Sequence, residues 1–225
     1  MNKVVLLAFC AAFTGGYHTN ASASLLNVGG FAFDSTALAD DVISGHGKFC
    51  TDAGSCGKRG TSESVVRRVT DALPGSYVFA QSGEAYLELG FTNNVAYNGE
   101  GYDLALFELG LPDYFTISLE KHGEKQVVSS YATGDRVKGY DLNVGLIDLS
   151  DWGLNLGDSI SSLIIGMGSV DPTIRTTPSL SLVAALHTTA PDVANVPLPA
   201  SALLFLTGLG TLSLRRNKDF TRTVI

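Results

Sequence analysis

Between residues 77 and 187 the apolar side chains recur at every second position, and that period commits the chain to β-strands rather than helices. Leu87, Leu89 and Phe91 alternate with Tyr86, Glu88 and Gly90, and Phe115, Ile117 and Leu119 alternate with Thr116, Ser118 and Glu120. Each pattern puts apolar groups on one face of a strand and polar groups on the other. Leu104 to Phe107 is instead an unbroken apolar run bounded by Asp103 and Glu108, the signature of a strand buried on both faces. Further strands are predicted over 77–81, 126–131, 140–148, 162–167 and 179–187. Turn residues separate them: Pro74-Gly75, Ser82-Gly83, Asn98-Gly99, Gly110 to Asp113, Gly123, Gly134-Asp135 and Asp171-Pro172. Many short strands with frequent turns imply an all-β fold, an antiparallel β-sandwich of jelly-roll type. The one helical pattern lies over 62–72. The stretch 34–61 is rich in Gly, Ser and Asp, and is expected to be a long irregular loop.

Two apolar segments flank this region. Lys3 precedes an uncharged run from Val4 to Phe13, and Ala21-Ser22-Ala23 supplies the small residues that a signal peptidase reads. The run of about ten residues is too short for a bilayer that needs roughly 20. Residues 1–23 are therefore expected to be a secretory signal peptide, leaving an ectodomain over 24–195. At the other end, Val196-Pro197-Leu198-Pro199-Ala200 leads into an uncharged stretch over 198–214, closed by Arg215-Arg216-Asn217-Lys218. As a helix that stretch spans about 26 Å, slightly under a hydrocarbon core of roughly 30 Å. The basic cluster belongs on the cytoplasmic side, which places the ectodomain outside. A short tail, 219–225, follows.

The order of these three features, a Val-Pro-Leu-Pro-Ala opening, a short apolar span and an Arg cluster, resembles the PEP-CTERM family of sorting signals in its VPLPA-CTERM variant. The resemblance covers 196–218. It implies recognition by an exosortase-type membrane protease or transpeptidase, processing near Pro197-Leu198-Pro199, and delivery to the cell surface or an exopolysaccharide matrix. A looser similarity, carried by Gly90 to Val95, Asn98 to Leu104 and Phe107-Glu108, is to the β-sandwich ectodomains attached to such signals.

Charge and cysteine usage agree with export. Ten of the 15 basic and 21 of the 22 acidic residues lie within 24–195, a net charge of −11 there. So acidic a domain argues against nucleic acid as a partner. Outside the signal peptide the cysteines are Cys50 and Cys56, close enough to pair in an oxidising compartment.

For chemistry, the densest polar cluster is Asn93, Asn94, Asn98, Glu100 and Asp103. Two readings stay open. Asn93, Asn94, Asn98 and Asp103 offer hard oxygens suited to calcium, and the same residues equally suit turns. Asp103 and Glu108, five residues apart on one strand, lie on opposite faces about 16 Å apart and cannot form a glycosidase pair. Trp152 follows Asp148 and Asp151, as a core residue or an exposed sugar platform. His46, His122 and His187 lack zinc spacing, and no His-Glu-x-x-His, Gly-x-Ser-x-Gly or phosphate-binding glycine motif is present. No catalytic residues are assigned. The expected function is non-enzymatic, structural or adhesive, with a calcium-assisted carbohydrate-binding module as the first alternative and a secreted glycan hydrolase as the second.

Overall fold

The structure is a computed structural model that describes residues 25–81, 83–119, 124–168 and 177–188. The expected signal peptide over 1–23, the segment 196–218 with Val196, Pro197, Leu198, Pro199, Ala200, Arg215 and Arg216, and the expected turns at Ser82, Gly123 and Asp171-Pro172 lie outside the described residues. Among those described, no helix is long and apolar enough to cross a membrane.

The chain forms mostly antiparallel β-sheets with one short helix. In order the strands are β1 (Leu25–Val28), β2 (Phe31–Asp34), β3 (Asp41–His46), β4 (Lys48–Thr51) and β5 (Lys58–Arg59). Helix α1 (Glu63–Thr70) follows, then β6 (Val78–Ala80), β7 (Tyr86–Gly90), β8 (Ala96–Tyr97), β9 (Leu104–Leu109) and β10 (Tyr114–Ser118). The remainder are β11 (Lys125–Ser129), β12 (Tyr131–Val137), β13 (Tyr140–Ile147), β14 (Ser159–Ile160), β15 (Ser162–Gly166) and β16 (Ser179–Ala185). Five strands pair in the order β11-β10-β15-β7-β3 and seven in the order β12-β13-β9-β16-β6-β4-β5, while β1-β2 and β14-β8 form two-stranded pairs.

The alternation read from the sequence becomes a shared core. Leu87, Leu89, Phe115, Ile117, Leu163 and Ile165 of the five-stranded sheet cluster with Phe49, Val78, Leu104, Leu106, Ile147 and Val183 of the seven-stranded sheet. Val65 and Val69 of α1 join them, four residues apart on one helical face. The opposite side chains of β9, Ala105, Phe107 and Leu109, enter a second core with Leu142, Val144 and Leu182. That core is closed by Val28 and Phe33 of the β1–β2 hairpin and by Ala37 and Leu38. All six residues of β9 are buried, because the seven-stranded sheet is covered on both faces. The hairpin turns on Gly29 and Gly30, both at positive φ (59° and 83°), as a two-residue loop with the right twist for its strands requires.

Three expectations are corrected. The stretch 34–61 is not an irregular loop: it holds a 3-10 turn at Ser35–Ala37 and strands β3, β4 and β5. Its alternation is masked by a register shift between Val42 and Ser44 and by glycines. Gly45 needs its hydrogen, since a Cβ there would lie 3.0 Å from the Gly60 Cα. The strand expected over 126–131 is two strands, with Ser130 as the point where the chain passes from one sheet to the other. Gly134-Asp135 is not a turn. It lies inside β12 at a register shift, and the reversal falls at Lys138-Gly139, both at positive φ.

Candidate functional site

Asp103, immediately before β9, is wholly buried. Its Oδ1 accepts the Gly99 amide at 2.7 Å and meets Nδ1 of His187 at 2.8 Å, and its Oδ2 accepts the Leu149 amide at 2.7 Å. One carboxylate thus joins the β8–β9 loop, the turn after β13 and the end of β16. Gly99 packs so tightly on the imidazole that a Cβ would lie 2.2 Å from Nδ1. Asn98 is buried as well, and its Nδ2 donates to the Leu154 carbonyl at 2.8 Å. The Asn94 Oδ1 accepts its neighbour's amide, that of Val95, at 2.8 Å, and Asn93 is exposed.

These contacts show what most of the oxygens offered for calcium do in the fold. The oxygens of Asp103 and Asn94 meet backbone amides and His187, so these two residues act as turn and loop anchors, while Oδ1 of Asn98 is buried without a hydrogen-bond partner. Among the described residues no group of three or more His, Cys, Asp or Glu could hold a metal ion. A buried carboxylate orienting an imidazole is also part of a general-base arrangement. Here, among the described residues, Asp103 is the imidazole's only hydrogen-bond partner, and no hydroxyl or thiol is bonded to its other nitrogen. Glu108 points into the core shared by the two sheets, away from Asp103, and the two acids share no site. Trp152 is in that core, with its Nε1 donating to the Glu124 carbonyl at 3.3 Å. The disulfide between Cys50 and Cys56 closes a six-residue separation beside β4.

A second candidate surface lies elsewhere, on the outer face of the five-stranded sheet. Register aligns His46, Tyr86, Gly166, Thr116 and Val127 in one row across all five strands. Ser44, Glu88, Ile164, Ser118 and Lys125 form the next row. The rings of His46 and Tyr86 stack with centroids 5.9 Å apart. Gly166 leaves a dip beside them, where a Cβ would strike the Thr116 hydroxyl. The result is a groove of about 740 Å³, bordered by Glu84 and Lys125 as well as by Tyr86, Thr116 and Ser118. Glu88 is held in place beside it by the Ser44 hydroxyl at 2.7 Å and the Ser162 hydroxyl at 3.3 Å. Unlike the outer face of the seven-stranded sheet, this one has nothing laid over it among the described residues: Tyr86, Tyr114 and Val127 are 36%, 38% and 55% exposed.

No family model, curated protein or solved structure matches the chain. The rows of the open face therefore carry the functional argument. Their residues are the polar partners in the sequence alternation, Tyr86 with Glu88 and Thr116 with Ser118. What the sequence left unmarked is which polar face stays open, because that depends on where the N-terminal hairpin folds back.

Proposed function

We propose that this chain is an exported, non-enzymatic surface or matrix protein, a jelly-roll-like β-sandwich ectodomain that adheres to extracellular polysaccharide through the outer face of its five-stranded sheet. The segment 196–218 would anchor it to the membrane with the ectodomain outside, until an exosortase-type enzyme processes it near Pro197 to Ala200. The observation that carries the adhesive reading is the asymmetry of the two outer faces. One is apolar and covered by the β1–β2 hairpin, while the other is open, hydroxyl-rich and centred on the Tyr86–His46 stack. A sugar ring presents an apolar face to an aromatic side chain and hydroxyls to Thr116, Ser118 and Glu84, which supply both donors and acceptors. The acidity of 24–195 disfavours anionic polymers, so an uncharged polysaccharide suits the groove best.

The test is affinity electrophoresis of the full chain in detergent through gels containing neutral polysaccharides, with alginate as the anionic comparison. The wild type should be retarded by a neutral polymer. Tyr86→Ala should weaken binding about tenfold, as the loss of an aromatic contact worth roughly 1.5 kcal/mol implies. Tyr86→Phe should bind as the wild type does, and so should Tyr140→Ala, which alters an exposed tyrosine of the other sheet. Unretarded wild type, or a Tyr86→Ala variant that binds undiminished, would contradict the reading.

A further inference from the structure

Four of the buried polar side chains meet at one corner of the shared core: Glu108, Asp113, Ser130 and Asn143. β9 turns Leu104, Leu106 and Glu108 towards the five-stranded sheet, and Glu108 has no exposed surface at all. Its Oε1 accepts the Asp113 amide at 2.8 Å and the Ser130 hydroxyl. Ser130 is tied to the same turn again, its amide donating to the Asp113 carbonyl at 2.9 Å. This is the residue at which the chain passes between sheets.

The remaining oxygen of Glu108 has no such support. Oε2 is buried without a hydrogen-bond partner. The Ser179 amide approaches the carboxylate from β16 as the weakest of its influences, without closing a hydrogen bond on Oε2. Directly opposite on β13 stands Asn143, equally buried. Its Nδ2 donates to the Gly110 carbonyl at 3.0 Å, which fixes the sense of the amide and leaves Oδ1 buried without a partner. Residues in register on antiparallel strands hold their Cβ atoms about 4.5–5.5 Å apart on the same face. Two neighbouring acceptors thus lack a donor. A single hydrogen on one of them would satisfy both.

We propose that Glu108 is a proton-binding site, its neutral acid donating from Oε2 to Oδ1 of Asn143 and so clasping β9 to β13 beside the crossing at Ser130. The step takes one proton from solvent onto the carboxylate and returns it when the clasp opens. Burial, the largest influence, pushes Glu108 up from 4.5 to about 7, and the charge of Asp113 pushes the same way, against the Ser130 hydroxyl and the two backbone amides. Asp113 is the titratable group that faces Glu108 among the described residues, since the other neighbours, Ser130, Asn143 and Ser179, do not titrate. An acid whose pKa rises on folding stabilises the fold fully below its unfolded value. That contribution is lost as pH rises through the folded value. The corner is therefore held firmly in mildly acidic surroundings and loosened in alkaline ones.

The experiment is thermal unfolding of the full chain from about pH 5 to about pH 9, for the wild type and Glu108→Gln, whose amide can donate the same bond without titrating. The wild-type Tm should fall across this window, while that of Glu108→Gln should stay nearly level and exceed the wild type at the alkaline end. Should the variant fail to fold, carbon-13 titration of the wild-type glutamate carboxyls should reveal one with a midpoint near neutrality. A wild-type Tm independent of pH, an undiminished slope in Glu108→Gln, or glutamates that all titrate in the ordinary carboxylate range would overturn the proposal. So would millimolar calcium that raises the alkaline Tm of the wild type but not of Glu108→Gln, because a metal ion would then fill the gap assigned to a proton.

Discussion

Asp103 illustrates how one residue organises three segments distant in sequence. Its carboxylate holds the amides of Gly99 and Leu149 and the imidazole of His187. Replacing it by alanine leaves two backbone donors and an imidazole nitrogen without their acceptor, at a cost of roughly 3 kcal/mol or more. Urea unfolding of Asp103→Ala should register that loss, and excess calcium should shift neither the variant nor the wild type. A calcium-dependent rise abolished in the variant would establish the ligand reading instead. In the sequence, Asp103 stood out as a polar residue beside an apolar run, which marked its importance but not its role. Asn-Gly and Gly-x-Gly surroundings suit a metal loop and a tight turn alike, and only the partners of each oxygen separate the two. Glu108 was harder to read, since an acid at the end of an apolar run usually marks the edge of a strand. The strand instead continues through Leu109, and that extension carries the acid into the core.

Among the elements, those with an unbroken alternation were legible. β7, β10, β13, β15 and β16 fall within one or two residues of their sequence bounds, because each puts apolar side chains into the shared core. β9 was readable as doubly buried from Leu104 to Phe107 alone. The hairpin that buries its second face was not. β1 and β2 are four residues each, and their apolar residues acquire meaning only against Phe107, from which the rings of Phe31 and Phe33 lie 6.0 and 6.1 Å. Phe33→Ala should cost about 3 kcal/mol, within the range for emptying an aromatic core position, and should increase binding of a hydrophobic dye. An unchanged unfolding midpoint would mean that the hairpin is not a structural cover. Further along, the ion pair of Asp52 with Arg68 at 2.8 Å ties the disulfide loop to α1, a long-range contact that a glycine-rich sequence does not advertise.

At the scale of the molecule, the two outer faces divide the labour. The β1–β2 hairpin seals one, and the other, among the described residues, keeps its rows of Tyr86, Thr116, Ser118 and Lys125 uncovered. Alternation revealed that polar faces exist; tertiary folding chose which of them is free. The proposed location comes from the ends of the chain rather than from the folded region. A protein exported, anchored and then processed for a surface or matrix has a defined mass. Intact mass spectrometry of the protein recovered from cells is the most direct test. The account expects a chain that begins after Ala23, retains the Cys50–Cys56 disulfide and ends within Pro197 to Ala200. A mature chain that still carries Ile225 would contradict processing and leave a simple membrane anchor in its place.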